Sequence, residues 1–304
     1  MLFFRRAVAA WFFAALPLVL GCAPRGGVED TYDTVRVTGS DTMVNLAQAW
    51  AEEFAKDHPA ISIPVKGGGS GVGIADLCAG KIQIATASRA MEPDEIELAR
   101  KNTGKPPQQF VVGRDALAIY VNLQNPMDSI SIDQLAEIYG EGGVITRWEQ
   151  LGVDNAACPS GQIVRISRQN SSGTYAYFKE AVLGPQRDYK QGYTAQSGSS
   201  DLVALISKTP CAIGYSGVGY RNETIKVLKV AKAKGEPAIE PTVATTQDGS
   251  YPIARPLYLY TLGEPAGAVQ EFIQWILSEQ GQRIVELQGY IPLDSHAADP
   301  AASE

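Results

Sequence analysis

Histidine is nearly absent: the 304 residues hold only His58 and His296. That starves a Ser/His or Cys/His triad of its base and argues strongly against a histidine-rich metal site. Cysteine is scarce too. Cys22, Cys78, Cys158 and Cys211 contain no C-x-x-C pair, so a redox motif is missing. No Gly-x-Ser-x-Gly elbow exists, because the closing glycine position holds Val72 after Ser70 and Val218 after Ser216. There is no Walker-type Gly-Lys-Ser/Thr and no His-Glu-x-x-His. The Gly67–Gly73 run misses the dinucleotide spacing, with Val72 where the third glycine would fall. Basic runs are absent after residue 30 and the net charge is −7, which speaks against a nucleic-acid binder. Beyond the first 20 residues, no apolar run is long enough to span a membrane as a helix.

What is present is a chain with 45% apolar residues, enough for one or two packed domains. Residues 1–21 read as an export signal: Arg5 and Arg6, then the apolar Ala7–Leu20. Val19-Leu20-Gly21-Cys22 resembles a bacterial lipoprotein cleavage box, which would make Cys22 the lipidated first residue of the mature chain. Diacylation there supplies two-chain membrane anchoring; an ordinary signal peptide is the plainer alternative. The expected location is extracytoplasmic, in a periplasm or at the cell surface. In that oxidising setting Cys158 and Cys211, each just before a strand in the same half of the chain, are the expected disulfide. Cys78, beside Leu77 and near Ile74 and Ile82, suits a buried thiol.

Residues 22–34 form a polar tether. Strands are expected at 35–37, 61–65, 82–87, 110–112 and 116–121, with helices over 42–56, 71–79 and 94–101. The first helix carries Met43, Leu46, Ala47, Trp50 and Phe54 at helical spacing. The second half repeats this alternation, with helices over 131–139, 174–183, 201–207, 266–277 and 281–287, strands at 163–166, 212–215, 227–230 and 256–262, and a polar stretch to about 250. Alternating strands and helices predict an α/β fold with a largely parallel sheet. Two lobes fit this length, one built from 35–115 plus 257–296 and the other from 116–256, with 297–304 as a tail.

Three segments run strand, Gly/Ser/Thr turn, helix: Thr38-Gly39-Ser40-Asp41-Thr42, Gly67–Gly73 around Ser70, and Arg168 through Ser171-Ser172-Gly173-Thr174. A helix start offers unpaired N–H groups and a partial positive charge, and hydroxyls add short-range donors, so such ends suit an anion. Plain N-capping explains any one of them; three together, one flanked by an arginine able to clamp an oxyanion through two bonds, point to an anion site. Ser88-Arg89 ends a strand, where ligands sit in open α/β sheets. Asp115 or Asp41 is a candidate acceptor for a proton on the ligand. A carboxylate accepts a hydrogen bond from HPO4²⁻ and only repels SO4²⁻.

These residues resemble the phosphate-binding proteins of high-affinity phosphate ABC transporters, over nearly the whole mature chain. The likeness continues through Ala212-Ile213-Gly214-Tyr215, Tyr251-Pro252, Arg255-Pro256-Leu257-Tyr258 and Gly289-Tyr290-Ile291-Pro292-Leu293. The resemblance implies a periplasmic-binding-protein-like (type II) fold, two α/β lobes joined by two hinge strands and closing on an anion. It puts Ser40, Thr42, Ser70, Ser88, Arg168, Ser172, Gly173 and Thr174 at positions that contact inorganic phosphate, and the turns themselves add Arg89, Asp115 and Ser171 as candidates. Some family members carry an aspartate where this chain has Arg89, so the proton acceptor must come from elsewhere.

The implied role is binding without turnover, with no cofactor or metal. The expected partners are inorganic phosphate and ABC transporter permease subunits, with a monomer held at the membrane through Cys22. Competing readings are a binder of another oxyanion (sulfate, molybdate or a phosphonate), a phosphate sensor and, least supported by the residues, a secreted phosphatase. All of these binding readings require Ser40, Ser70 and Thr174 to gather around one hollow.

Overall fold

The computed structural model describes residues 33–293. The export signal, Cys22, the tether up to residue 32 and the 297–304 tail lie outside the described residues. The chain opens with β1 (Asp33–Thr34), β2 (Val37–Gly39), α1 (Val44–Asp57), β3 (Ile61–Ser62), β4 (Val65–Lys66), α2 (Ser70–Cys78), β5 (Ile84–Ala87) and α3 (Pro93–Thr103). The long β6 (Pro107–Asn122) follows, then β7 (Ser129–Ser131), α4 (Ile132–Tyr139), β8 (Val164–Arg168) and α5 (Gly173–Phe178). Next come β9 (Thr194–Gln196), α6 (Ser199–Ser207), β10 (Ala212–Gly217) and β11 (Ile225–Ala231). The described chain finishes with α7 (Val243–Gln247), β12 (Ala254–Leu262), α8 (Ala268–Leu277) and α9 (Glu279–Leu287).

The main sheet runs β4-β2-β5-β12-β6-β10-β8-β9, with β11 also on β6. Its two ends are parallel, β4/β2/β5 on one side and β10/β8/β9 on the other. The middle is antiparallel: β12 against β5 and β6, and β6 against β10 and β11. The expectation of a largely parallel sheet is thus corrected to a mixed one. Strand–helix alternation produces the parallel ends, but the strands that join them cross in opposite directions. Residues 110–112 and 116–121 are also one strand, not two. Gly113-Arg114-Asp115 looks like a break in sequence, yet each pairs across to β12, with Asp115 opposite Arg255.

The cores form on either side of that crossing. Leu46, Ala47, Trp50 and Phe54 of α1 pack with Val112, Leu257, Phe272 and Ile276. Leu117 to Val121 of β6 pack instead with Ile166, Ile213, Tyr215 and the α4, α6 and β11 apolar faces. A smaller cluster sits between α2, α3 and β5. The helix expected over 174–183 is α-helical only to Phe178 and continues as one π turn, Lys179–Leu183. The polar stretch before 250 holds α7, opened by the Thr242 side chain accepting from the Thr245 N–H.

The close approach of α2 to β2 fixes the turn that follows β2. A Cβ on Gly73 would stand 2.4 Å from the Thr38 carbonyl oxygen and 2.5 Å from the Gly39 Cα, so only glycine lets helix and strand touch there. Cys158 and Cys211 form a disulfide across 53 residues, tying the loop before β8 to the turn before β10. Cys78 is a free, buried thiol at the end of α2, donating to the Glu95 carbonyl, and burial pushes its pKa up.

A loop of this length gives a disulfide about 2–4 kcal/mol of stabilisation. The Cys158→Ser/Cys211→Ser protein should lose about that much unfolding free energy, read as a lower urea midpoint, and an unchanged midpoint would show the bond to be neutral.

Candidate functional site

Hydroxyls from segments far apart in sequence meet in the buried interior. Ser40 follows β2, Ser70 opens α2 and Ser88 follows β5. The Ser40 hydroxyl donates to Ser88 Oγ at 3.1 Å, and Ser70 Oγ lies 3.3 Å from Ser88 Oγ. Ser70 Oγ also accepts from the Ser88 N–H at 3.1 Å. Gly173, the first residue of α5, fits against them: a Cβ there would be 2.4 Å from Ser70 Oγ and 2.7 Å from Ser88 Oγ. Next to this group, Thr42 Oγ1 and Thr174 Oγ1 are 2.8 Å apart. Ser40, Ser70 and Thr174 therefore converge on one place, and all three are buried.

Two guanidiniums flank the hydroxyls. Arg168, at the end of β8, is fully buried and donates to Ser199 Oγ (2.8 Å), the Ser197 carbonyl (2.6 Å), the Gln196 carbonyl (3.4 Å) and Asp41 Oδ2 (3.2 Å). That leaves one of its five N–H groups uncommitted. Burial lowers the Arg168 pKa, and Asp41 opposes this. Beneath it, Tyr215 OH joins Ser167 Oγ at 2.6 Å and Tyr189 OH at 2.8 Å, and burial pushes the Tyr215 hydroxyl up to about 12.

The second guanidinium, Arg255, starts β12. It donates to Asp115 Oδ2 through Nε (3.1 Å) and Nη2 (2.8 Å), to the Ser88 carbonyl (3.1 Å), to Thr174 Oγ1 (2.9 Å) and, at 3.5 Å, to Thr42 Oγ1. The Tyr177 ring lies under it, 5.4 Å from its centroid. Burial pushes the Asp115 carboxyl up, while Arg255 and the Val218 N–H pull it back.

Each arginine thus carries its own carboxylate, Asp41 or Asp115. The site has little surplus formal charge, so attraction of an anion rests on short-range donors and helix ends. Asp41 is a junction. Its Oδ1 accepts from the Gly68 N–H at 2.8 Å and its carbonyl accepts from Tyr220 OH at 2.6 Å.

The remaining expected residues each have partners within the protein. Arg89 makes a two-pronged pair with Glu95 at 2.6 and 2.8 Å and donates to the Ala90 carbonyl. Ser171 accepts from the Gly71 N–H through its carbonyl at 3.0 Å, joining α5 to the glycine-rich turn. Ser172 caps α5 by accepting from the Thr174 N–H. Asp115 gives Oδ2 to Arg255 and Oδ1 to the Val218 N–H. Arg255 was missed as a site residue. The visible signal was an arginine heading a strand of otherwise apolar residues, Leu257, Tyr258 and Leu259, beside a proline that cannot donate. The more open surface hollows, about 580 and 490 Å³, lie around residues 126–131 with 231–238 and around 147–161, away from these groups.

A family model described as a PBP superfamily domain matches residues 26–280. The phosphate-binding protein PstS of Pseudomonas aeruginosa is 32% identical over 278 residues, which cover 88% of this chain and 85% of that protein. This chain belongs to that family. Protein SphX of Synechococcus elongatus is 33% identical over 271 residues, 86% of this chain and 78% of its own. Among solved structures, a phosphate ABC transporter substrate-binding protein from Clostridium perfringens, described with bound phosphate, superposes with a TM-score of 0.76 at 27% identity. It is covered completely and spans 86% of this chain. An ABC-type phosphate transport receptor from Vibrio cholerae gives 0.66 at 27% identity, with 85% of this chain and all of that one aligned. The fold is the periplasmic-binding-protein type, with two α/β lobes joined by crossing strands. The family acts by binding rather than catalysis and works outside the cytoplasm.

Because a methyl group on Gly173 would overlap two serine hydroxyls, Gly173→Ala should lower the unfolding free energy by about 1–3 kcal/mol, read from urea denaturation. An unchanged value would mean that the serines are not held against α5.

Proposed function

We propose that this chain binds inorganic phosphate and delivers it to the permease of an ABC transporter. The convergence of Ser40, Ser70, Ser88, Thr42 and Thr174 beside Arg168 carries the reading. A tetrahedral dianion needs many donors at contact distance, and the three serines, two threonines, helix starts and one uncommitted Arg168 N–H supply them. The lobes close around it by bending the crossing strands. Distant surface charge, net −7, is screened over about 10 Å at ordinary salt and does not oppose binding. Asp115 keeps one lone pair on Oδ1 beyond its bond to the Val218 N–H and is the acceptor for the proton of HPO4²⁻. Sulfate, which has no such proton, would face a carboxylate without a hydrogen bond. Arg89, held by Glu95, supports the turn instead of the anion. The chain acts as a monomer anchored through lipid on Cys22.

Titration calorimetry of the soluble protein should give heat with phosphate and much weaker heat with sulfate. A protein stripped of ligand that is silent to phosphate removes the reading. Arg168→Ala should weaken phosphate by about 1.5–3 kcal/mol, the scale of a charge-assisted hydrogen bond. In cells, Cys22→Ser should move the protein from the membrane fraction to the soluble extracytoplasmic fraction. Unchanged membrane retention would exclude the lipid anchor.

A further inference from the structure

Among the described residues of the site, Arg255 is the one that reaches both crossing strands and both lobes. It sits on β12, directly opposite Asp115 of β6, and pairs with it. It donates to the Ser88 carbonyl and Thr42 Oγ1 on one side and to Thr174 Oγ1 on the other. Its own side chain is almost fully buried, against the face of Tyr177.

Counting protons gives this geometry a direction. A hydroxyl has one proton to give and two lone pairs. Of the two Nη2 protons of Arg255, one goes to Asp115 Oδ2 at 2.8 Å and the other to Thr174 Oγ1 at 2.9 Å, shared weakly with Thr42 Oγ1 at 3.5 Å. The Thr174 hydroxyl is thus held as an acceptor toward the guanidinium, and its own proton must point away. One of the two protons is used in the 2.8 Å bond between Thr42 and Thr174. The other has no protein acceptor among the described residues and is free to be given to a ligand oxygen. Without a donor behind them, the threonines could equally turn their lone pairs inward, and lone pairs repel an anion oxygen. Asp115 meanwhile neutralises Arg255, so the arginine orients the hydroxyls without adding net charge.

We propose that Arg255 is a positioning and specificity-determining residue, which forces the Thr42–Thr174 pair to present a donor to the anion. The inference rests on the phosphate reading above and names the device that makes this face of the site accept only unprotonated oxygen. The face toward the threonines takes a bare oxygen of the ligand, and any ligand proton must be turned elsewhere.

The test is calorimetry with inorganic phosphate on the wild type, Arg255→Lys, Thr174→Val and the double variant, with thermal melting of each. Lysine keeps the charge opposite Asp115 but has no planar fork to serve the strand partner and both hydroxyls together. Arg255→Lys should melt near the wild-type temperature yet bind phosphate about tenfold or more weakly. Its effect and that of Thr174→Val should be less than additive, since both remove the same donor. Wild-type affinity in a folded Arg255→Lys protein overturns the proposal, as does strict additivity in the double variant. If Arg255→Lys does not fold, Thr42→Val and Thr174→Val with the arginine intact decide: two losses of about tenfold that do not add support the shared donor, and unchanged affinity overturns it. A wild-type protein that gives no heat with phosphate instead defeats the underlying reading.

Discussion

Two buried guanidiniums share this site, and its architecture follows from giving each a counter-charge. An unpaired buried charge costs far more than a fold of ordinary stability can absorb. Asp41 and Asp115 supply the counter-charges, and each carboxylate is itself held by a backbone N–H, from Gly68 and Val218 respectively. The glycine-rich turn and the segment after β10 are thereby placed by electrostatics as much as by packing. Removing either aspartate would leave a cation stranded and a turn loose, so the acidic residues that look out of place beside an anion site are conditions of its existence.

Neutral pairs change how the site must work. With the formal charges cancelled nearby, selectivity moves to geometry: which hydroxyl points where, and how closely α5 approaches the serines. Ser40, Ser70 and Ser88 have three protons and two bonds among them, so this group also keeps one proton in hand. Each hydroxyl cluster thus keeps one proton to donate by arithmetic, while the surface of the molecule can remain acidic.

Much of the site was legible because local chemistry and location coincide. Ser40, Ser70 and Thr174 sit at strand-to-helix turns, and such turns at one edge of an α/β sheet face one another. Helical spacing in α1 placed Trp50 and Phe54 in the core, where they are. The antiparallel middle was not legible, because nothing in residues 107–122 reveals which distant strand they will pair with. Arg255 escaped for the same reason. Its partners are Asp115, 140 residues away, which the register of β6 on β12 brings opposite it, and Thr174, 81 residues away, which the placement of α5 brings to it. Arg89, expected beside the anion, is paired with Glu95 in the first turn of α3, a partner six residues on that the turn sequence did not single out.

The strand β6 enters one core at Val112 and the other at Ala116, and its ladder to β12 runs through both with a single register shift, at Val112. Any opening of the molecule would bend this ribbon, with the irregular step at Val112 as its one local interruption. Such a ribbon has a preferred angle and a restoring force. The time a captive ion spends inside is then set partly by the stiffness of a few peptide units that never touch it.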